Sequence, residues 1–149
     1  MAASSVVSGS SAREPSKPAR RLRIIVVDDN PDEVLTLMAL LHDAGHEVWG
    51  LYRAQEVMRA VTSFDPDAML LDIALPGGSG YAVAEEIRRR FGPKRPMLIA
   101  LSGLYKQPSH ELLSDAAGSD HFLTKPFDFD ESLRLLAPLL SHNPSRTEQ

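Results

Sequence analysis

Short apolar runs alternate along this chain with longer amphipathic segments, and this alternation constrains the fold more than any other feature. Five apolar runs occur, and segments with the helical period of apolar residues separate and follow them. Near-continuous apolar runs are typical of parallel strands that are buried on both faces. The pattern therefore predicts an α/β fold, in which a five-stranded parallel sheet carries helices on both faces.

The predicted elements begin and end at recognisable residues. In the first helix, Asn30 is a suitable cap, Pro31 suits the first turn and Gly45 follows the end. In the last helix, Pro138 is expected to kink the helix or to end it early. The apolar residues at helical spacing in the first helix are Val34, Leu35, Met38 and Leu41. The predicted strands span 22–27, 47–52, 68–72, 97–101 and 121–123, and the predicted helices span 31–44, 53–64, 81–91, 109–117 and 129–140.

Composition separates one folded region from two tails. Residues 1–20 are rich in Ser, Ala and Pro, and residues 141–149 have a similar character, so neither segment can build a core. We expect a disordered N-terminal tail over 1–20, a single folded domain over 21–140 and a flexible C-terminal tail over 141–149. We expect no effector domain beyond it.

The overall composition argues against several classes of protein. The 149 residues include no cysteine, which excludes disulfides, and no apolar run approaches the roughly 20 residues of a membrane span. The formal net charge is -4 with acids and bases mixed, which argues against general nucleic-acid binding. We therefore expect a cytoplasmic protein without direct contacts to nucleic acid or membrane.

Polar residues stand where the predicted strands end. Asp28 and Asp29 follow the first strand, Asp72 ends the third, Ser102 follows the fourth and Lys125 follows the fifth. Because the carboxyl ends of parallel strands meet at one rim of the sheet, these side chains are expected to share a cleft. Clustered carboxylates repel one another without a cation, and oxygen ligands suit Mg²⁺. The residues alone thus predict a Mg²⁺ site beside a hydroxyl and an ammonium.

Each of these residues also has a purely structural interpretation. An aspartate after a buried strand commonly caps a helix or forms a turn, and a Lys-Pro pair alone indicates little. The functional interpretation depends on the combination, because each polar group occupies its own strand end.

Four stretches of the sequence together resemble the receiver domain of two-component response regulators. They are VVDDN at 26–30, LLDIALPGGSGY at 70–81, ALSG at 100–103 and KPF at 125–127, and the resemblance extends over 22–140. The sequences of these stretches are also similar to those of receivers attached to hybrid histidine kinases. The resemblance implies a flavodoxin-like (βα)5 fold with strand order 2-1-3-4-5 and a single-domain phosphorelay protein. Such a protein is no separate enzyme, although it would promote its own phosphorylation and dephosphorylation.

The resemblance implies a role for each matched residue. Asp72 would accept the phosphoryl group, Asp29 would bind Mg²⁺ directly and Asp28 would bind it through water. The backbone carbonyl of Ala74 would complete the protein ligands, and Lys125 would pair with the phosphoryl oxygens. The donor would be a phosphohistidine on a histidine kinase or a phosphotransfer protein, or a small acyl-type phosphate.

Further matched residues would transmit the change. Ser102 would be the switch hydroxyl and Phe122 the switch aromatic. Gly103 would contact the phosphoryl group, and the peptide bond to Pro126 would be cis. Gly80 would allow the loop after strand three to turn into its helix. Ser102, Gly103 and Phe122 stand where receivers more often have Thr, Ala and Tyr.

Phosphorylation is expected to act through the surface formed by the fourth helix, the fifth strand and the fifth helix, over 108–140. Both switch residues adjoin that surface in the predicted fold. The apolar residues expected beneath or across it are Leu112, Leu113, Leu133 and Leu136. The surface would serve as a homodimer contact or as a docking site for a kinase.

Three other functions are compatible with parts of the pattern. A haloacid-dehalogenase-like phosphatase would need a second acid two residues after Asp72, where this chain has Ala74. A flavodoxin-like cofactor-binding protein would need a phosphate-binding loop after the first strand, where DDNPD would repel phosphate. A phosphorylation-independent interaction module would not need the complete set of strand-end residues.

Two other groups of charged residues have structural interpretations. The basic residues between 88 and 95 are interpreted as a solvated helix end, with a partner-binding patch as the alternative. His42 and His46 are four residues apart, but Gly45 between them is expected to end the helix. They are therefore not expected to form a metal-binding pair.

Overall fold

In a computed structural model of the protein, residues 20–76, 78–103 and 118–141 are described. The strands are β1 (Arg23–Val27), β2 (Glu47–Leu51), β3 (Ala68–Asp72), β4 (Met97–Ser102) and β5 (His121–Thr124). The helices are α1 (Pro31–Asp43), α2 (Val57–Phe64), α3 (Gly80–Phe91) and the C-terminal helix (Phe129–Ser141). All five strands are parallel, in the order β2-β1-β3-β4-β5, which confirms the predicted sheet.

Alternating residues of the strands build a core on each face of this sheet. Ile25 and Met69 belong to the cluster that packs against α2 and α3, whereas Ile24 and Leu70 belong to the cluster beneath α1 and the C-terminal helix. Because side chains alternate across a strand, consecutive apolar residues serve both faces at once. All five residues of the central strand β3 are buried, which explains why its sequence stays apolar up to Asp72.

Helix α1 begins and ends where its sequence indicates. The Asn30 side chain accepts hydrogen bonds from the backbone N–H groups of Asp32 and Glu33, at 3.0 and 3.4 Å. Beyond the other end, Gly45 has a φ of 101°, a left-handed conformation that glycine adopts without steric penalty. The start of α1 therefore lies directly after the two acids that follow β1.

The buried face of α1 differs from the predicted set of apolar residues. Val34, Leu37 and Leu41 are buried and Met38 is half-buried, whereas Leu35 is 57% exposed. Successive helical residues are about 100° apart, so a neighbour of a buried residue can point largely away from the sheet. Leu37, which the prediction omitted, is three residues from Val34 and four from Leu41 and therefore lies on their side of the helix.

Two connections between the elements differ from the sequence prediction. The segment predicted as one helix over 53–64 starts with a 3-10 turn, Ala54–Glu56, before α2. A short antiparallel ribbon of Ala74–Leu75 and Gly78–Ser79, which was not predicted, connects β3 to α3.

The predicted fourth helix, 109–117, lies outside the described residues, as do 1–19 and 142–149 of the predicted tails. In the described part of the chain, no helix combines the length and apolar character needed to cross a membrane.

The C-terminal helix continues past Pro138 to Ser141, so the predicted early end is wrong, whereas the kink predicted as its alternative stays a prediction. Pro138 lacks the N–H that would donate to the carbonyl of Arg134, so it costs the helix one hydrogen bond without ending it. Arg20, which the sequence prediction assigned to the tail, donates a hydrogen bond to the Leu139 carbonyl at 2.7 Å. This bond satisfies one of the carbonyl groups of the last turn, which lack helical partners.

A buried carboxylate ties the amino ends of the strands together. Asp67 is 2% exposed and accepts a hydrogen bond from the backbone N–H of Arg23 at 2.8 Å. Its other oxygen lies 3.4 Å from the guanidinium groups of Arg20 and Arg95. A buried carboxylate requires such partners to offset its lost hydration. This end of the sheet is therefore occupied by paired structural charges, and the strand-end acids lie at the other end.

Replacement of Gly80 by alanine is expected to destabilise the fold, because the added methyl group has no room. A Cβ at residue 80 would lie 2.6 Å from the Ile73 Cα and closer still to the Asp72 carbonyl oxygen. We expect the free energy of unfolding, measured by urea denaturation, to fall by about 1–3 kcal/mol. Gly103→Ala is the control, since its Cβ would meet nothing within 4 Å. Equal stability of the two variants would contradict this steric explanation.

Candidate functional site

The carboxyl ends of β1 and β3 bring three acids together, here called the acid cluster (Asp28, Asp29 and Asp72). The two strands are neighbours, with Val27 paired to Leu71, so Asp28 and Asp72 follow side by side. One oxygen of each acid lies within 4.8 Å of the others. Asp28 and Asp72 are 1% and 5% exposed, whereas Asp29 is exposed. The structure thus brings together the three acids that the sequence indicated.

Lys125 reaches the acid cluster from the end of β5. Its Nζ lies 2.8 Å from Asp28 Oδ2, 2.8 Å from Glu33 Oε1 and 3.3 Å from Asp72 Oδ2. The peptide bond between Lys125 and Pro126 is cis. Because an ammonium group has three N–H donors, these three carboxylates can engage all of them.

Glu33 is the member of the site that sequence reasoning missed. It lies in the first turn of α1, where acidic residues are common because they complement the helix dipole. That local preference concealed its contact with Lys125. The position of Glu33 in the sequence was the available signal. Pro31 begins the helix immediately after the acid pair, so the first helical turn must pass the same rim of the sheet.

Asp72 carries a strongly perturbed carboxyl group. Burial raises the pKa of Asp72 from its ordinary value of 3.8 to about 6. The backbone N–H of Ala74 and the charge of Lys125 oppose this shift, and the charge of Asp28 adds to it. Without a further cation, a substantial fraction of Asp72 is therefore protonated in mildly acidic solution.

The neighbouring groups show pKa shifts of both signs. Burial alone would raise the pKa of Asp28, but hydrogen bonds with Glu33 and Lys125 hold it below its ordinary value. The close approach of Asp28 raises the pKa of Glu33. Burial would lower the pKa of Lys125, but the surrounding carboxylates raise it instead. Lys125 therefore remains a full positive charge throughout the neutral range.

Backbone N–H groups hold one oxygen of each buried acid. The N–H of Asn30 donates to Asp28 Oδ1 at 3.0 Å, and the N–H of Ala74 donates to Asp72 Oδ1 at 2.9 Å. The remaining Oδ2 atoms are the ones that face Lys125. Ala74 itself lies in the ribbon after β3 and is exposed. Both carboxylates are thus oriented before any ligand arrives.

The residues predicted to act as a switch lie on β4 and β5. Ser102 ends β4 and is completely buried, and its hydroxyl donates to the carbonyl of Gly103 at 3.2 Å. The carbonyl of Ser102 accepts a hydrogen bond from the backbone N–H of Lys125 at 2.7 Å. Phe122 is half-buried on β5, paired with Ala100. The end of β4 is therefore linked directly to the residue that enters the acid cluster.

The basic segment 88–95 is more than the solvated helix end that was predicted. Arg88 is 14% exposed, and its guanidinium donates to the Gly118 carbonyl at 2.9 Å and to the Asp120 carboxylate at 2.7 Å. Arg95 pairs with Asp67 at the amino end of the sheet. These two arginines make structural contacts within the domain. A partner-binding patch in this segment would therefore have to use its other basic residues.

The two histidines occupy different environments. His46 is 5% exposed, and its Nδ1 accepts a hydrogen bond from the backbone N–H of Leu22 at 3.1 Å. Burial lowers the pKa of His46, so this nitrogen remains available as an acceptor. His42 lies on the exposed side of α1. The contact between His46 and Leu22 is structural.

The sequence profile of the response regulator receiver domain matches residues 24–137. This match spans most of the chain, from the first strand into the C-terminal helix, and the chain therefore belongs to the response regulator receiver domain family. Receivers of this family act in two-component systems, in which they interact with histidine kinases or phosphotransfer proteins.

Individual relatives agree with this assignment. The transcriptional regulatory protein TcrA of Mycobacterium tuberculosis is 30% identical over 135 residues, which cover 89% of this chain and 52% of TcrA. The chain thus spans about half the length of that relative. The DNA-binding transcriptional regulator NtrC of Escherichia coli is 32% identical over 117 residues, which cover 78% of this chain and 24% of NtrC. A specific relationship to receivers of hybrid kinases stays a prediction.

A solved structure of similar sequence is the response regulator TrrA of Thermotoga maritima, in complex with Mg²⁺-BeF. It is 34% identical, with a TM-score of 0.69 over 80% of this chain and 99% of TrrA. The similarity therefore extends over nearly all of that receiver.

Neutralisation of Asp72 is expected to stabilise the protein at pH 8 and to have little effect at pH 4. The pKa of Asp72 is about 6 in the folded state and about 3.8 when unfolded, so the folded state binds the proton more tightly. Stability is therefore lost as the pH rises from about 4 to 6. Asp72→Asn removes this loss, and in Mg²⁺-free buffer it should raise the free energy of unfolding by roughly 1–3 kcal/mol at pH 8.

Urea denaturation of both proteins at pH 8 and pH 4 measures this effect. Asp32→Asn is the control, because Asp32 is an exposed acid outside the acid cluster. If Asp72→Asn unfolded at the wild-type urea concentration at pH 8, ionisation of Asp72 would carry no cost and the explanation would be wrong.

Proposed function

We propose that this receiver accepts a phosphoryl group on Asp72, in a Mg²⁺-dependent transfer from the phosphohistidine of a histidine kinase or a phosphotransfer protein. The observation that carries the proposal is the position of Asp72. It ends the central strand with one oxygen 3.3 Å from the Lys125 ammonium, and two further acids have oxygens within 4.8 Å. A carboxylate nucleophile that faces a cation and a metal-binding group meets the requirements of phosphoryl transfer.

Magnesium fits the donor atoms at this site. The acid cluster offers carboxylate oxygens, which are the ligands that Mg²⁺ prefers. Three carboxyl groups face the ammonium of Lys125 and Asp29 lies beside two of them, so negative charge exceeds positive charge there. The acid cluster and the carbonyl of Ala74 would hold the ion. When bound, Mg²⁺ would neutralise part of this charge and part of the charge on the phosphoryl oxygens.

The transfer requires mainly positioning from the chain. A carboxylate oxygen of Asp72 attacks the phosphorus atom, while the bond from phosphorus to the donor imidazole nitrogen breaks and leaves its electron pair on that nitrogen. The product is an acyl phosphate on Asp72. Lys125 stabilises the negative charge of the phosphoryl oxygens from a position that it already occupies. Asp72 attacks only in its ionised form. Nearby positive charge therefore favours the reaction in two ways, because it keeps Asp72 ionised and stabilises the negative charge of the phosphoryl oxygens.

Ser102 and Phe122 would transmit the new charge to the surface. The hydroxyl of Ser102 donates to the Gly103 carbonyl at 3.2 Å, which is long for such a bond and can be exchanged for a phosphoryl oxygen. A backbone contact from Gly103 would add to the phosphoryl binding. Phe122, on the adjacent strand, would then fill the space that the hydroxyl leaves.

The surface that responds is proposed to comprise 108–140, and 118–140 of it lies in the described part of the chain. There, Leu136 is buried and Leu133 packs against the same core cluster, so a shift of β5 reaches both of them. A homodimer or a docked kinase is the proposed reader of this surface. A cytoplasmic location belongs to the same proposal, because it is the compartment expected for two-component receivers.

Asp72→Asn is expected to abolish phosphoryl labelling, because it removes the nucleophilic oxygen. The protein would be incubated with Mg²⁺ and either candidate phosphorylated histidine kinases or a labelled acyl phosphate, and the base-labile label would be measured. Asp32→Asn is the matched control and should label like the wild type. Wild-type labelling of Asp72→Asn would show that the acceptor has been assigned to the wrong residue.

A further inference from the structure

We infer that Glu33 is a positioning residue that restrains Lys125, and that the bond between them opens when Asp72 is phosphorylated. The inference rests on the proposed role of Asp72 as the phosphoacceptor. It assigns to Glu33 a braking effect on phosphorylation that the acid cluster alone does not explain.

The first argument is the number of donors on Lys125. Its Nζ contacts Asp28, Glu33 and Asp72 at 2.8, 2.8 and 3.3 Å, and an ammonium group has three N–H donors. A phosphoryl oxygen that binds Lys125 must therefore displace one of these carboxylates. All three N–H donors of Lys125 are engaged before the reaction, and at least one of them must be released during it.

The second argument identifies the carboxylate that leaves. The side chain of Glu33 is 42% exposed, whereas those of Asp28 and Asp72 are 1% and 7% exposed. A released Glu33 carboxylate is hydrated by solvent, but Asp28 would be left buried without its cation. Asp72 carries the phosphoryl group, so the N–H that faces Asp72 passes to one phosphoryl oxygen, and a second phosphoryl contact requires Glu33 to leave. Glu33 is therefore the partner that can be displaced at least cost.

The third argument concerns charge. Glu33 shares Lys125 with Asp72, so its carboxylate lies close to the place where a phosphoryl group would gain negative charge. Like charges at this range oppose one another, and partial burial limits their screening. The same residue thus holds the cation back and repels the incoming group, and both effects slow phosphorylation.

Two substitutions separate the bond from the charge. Glu33→Gln removes the charge and weakens the bond to Lys125, whereas Glu33→Asp keeps the charge but shortens the side chain by one methylene. If the bond restrains Lys125, both variants should be phosphorylated faster by a labelled acyl phosphate at saturating Mg²⁺, by about 3- to 10-fold for Glu33→Gln. Both should also bind beryllium fluoride more tightly.

Asp32→Asn is the matched control, because Asp32 is an exposed acid in the same helical turn, and it should react at the wild-type rate. Urea denaturation would establish that each variant is folded. An unchanged or slower rate for Glu33→Gln overturns the inference. A wild-type rate for Glu33→Asp beside a faster Glu33→Gln also overturns it, since charge alone would then act. In both cases Asp72 would still label, whereas an unlabelled wild type would instead overturn the proposed function.

Discussion

The ammonium group of Lys125 is the interaction on which the site depends. It joins acids from three separate elements, namely Asp28 after β1, Asp72 at the end of β3 and Glu33 on α1. Two adjacent carboxylates that are removed from water would otherwise repel each other strongly. One positive charge offsets only part of the cost, because burial first and the charge of Asp28 second keep the pKa of Asp72 raised. The incomplete neutralisation leaves the site suited to a second cation and to a phosphoryl group.

The parallel sheet determines which residues can meet around that charge. Its strand order places β1 and β4 on either side of β3 and puts β5 beyond β4, so the ends of four strands share one rim. Asp28 and Lys125, which are 97 positions apart in sequence, are thereby brought within 2.8 Å. The close approach of Gly80 to the backbone of Asp72 and Ile73 keeps the following loop against the same rim.

The parallel sheet, the ends of α1 and the acid cluster were predictable because each depends on a repeated or directional pattern. Apolar runs identify buried parallel strands, and the carboxyl ends of such strands converge whatever the sequence between them. Glu33 and Arg88 escaped prediction for a different reason. An acid in a first turn and an arginine in a last turn are favoured by the helix dipole in any protein, so their tertiary contacts leave no distinct signal. The contact partners of Arg88 also lie about 30 positions away.

Pro138 and Leu35 show the same limit in the packing of helices. Beside Pro138, the carbonyl of Leu139 is satisfied by Arg20, a residue 119 positions earlier, and no local pattern at the helix end indicates that contact. Leu35, Leu37 and Leu40 are the same residue type, so the apolar pattern of α1 fits more than one face, and contact with the sheet buries Leu37. Local sequence patterns thus indicate which elements form, whereas their mutual orientation depends on the assembled core.

Burial decreases across the sheet from the strand that carries Asp72 to the strand that precedes Lys125. Every residue of β3 is buried, whereas in β5 only Leu123 is buried and the other three residues are half-buried. Buried central strands open with the whole domain, while less buried elements open in smaller local fluctuations. Asp72 therefore ends a strand that resists local opening, whereas Phe122 and Lys125 lie on or directly after a strand that opens more easily. Any strain that develops around Asp72 should be relieved by displacement of the sheet edge, and the centre of the sheet should keep its shape.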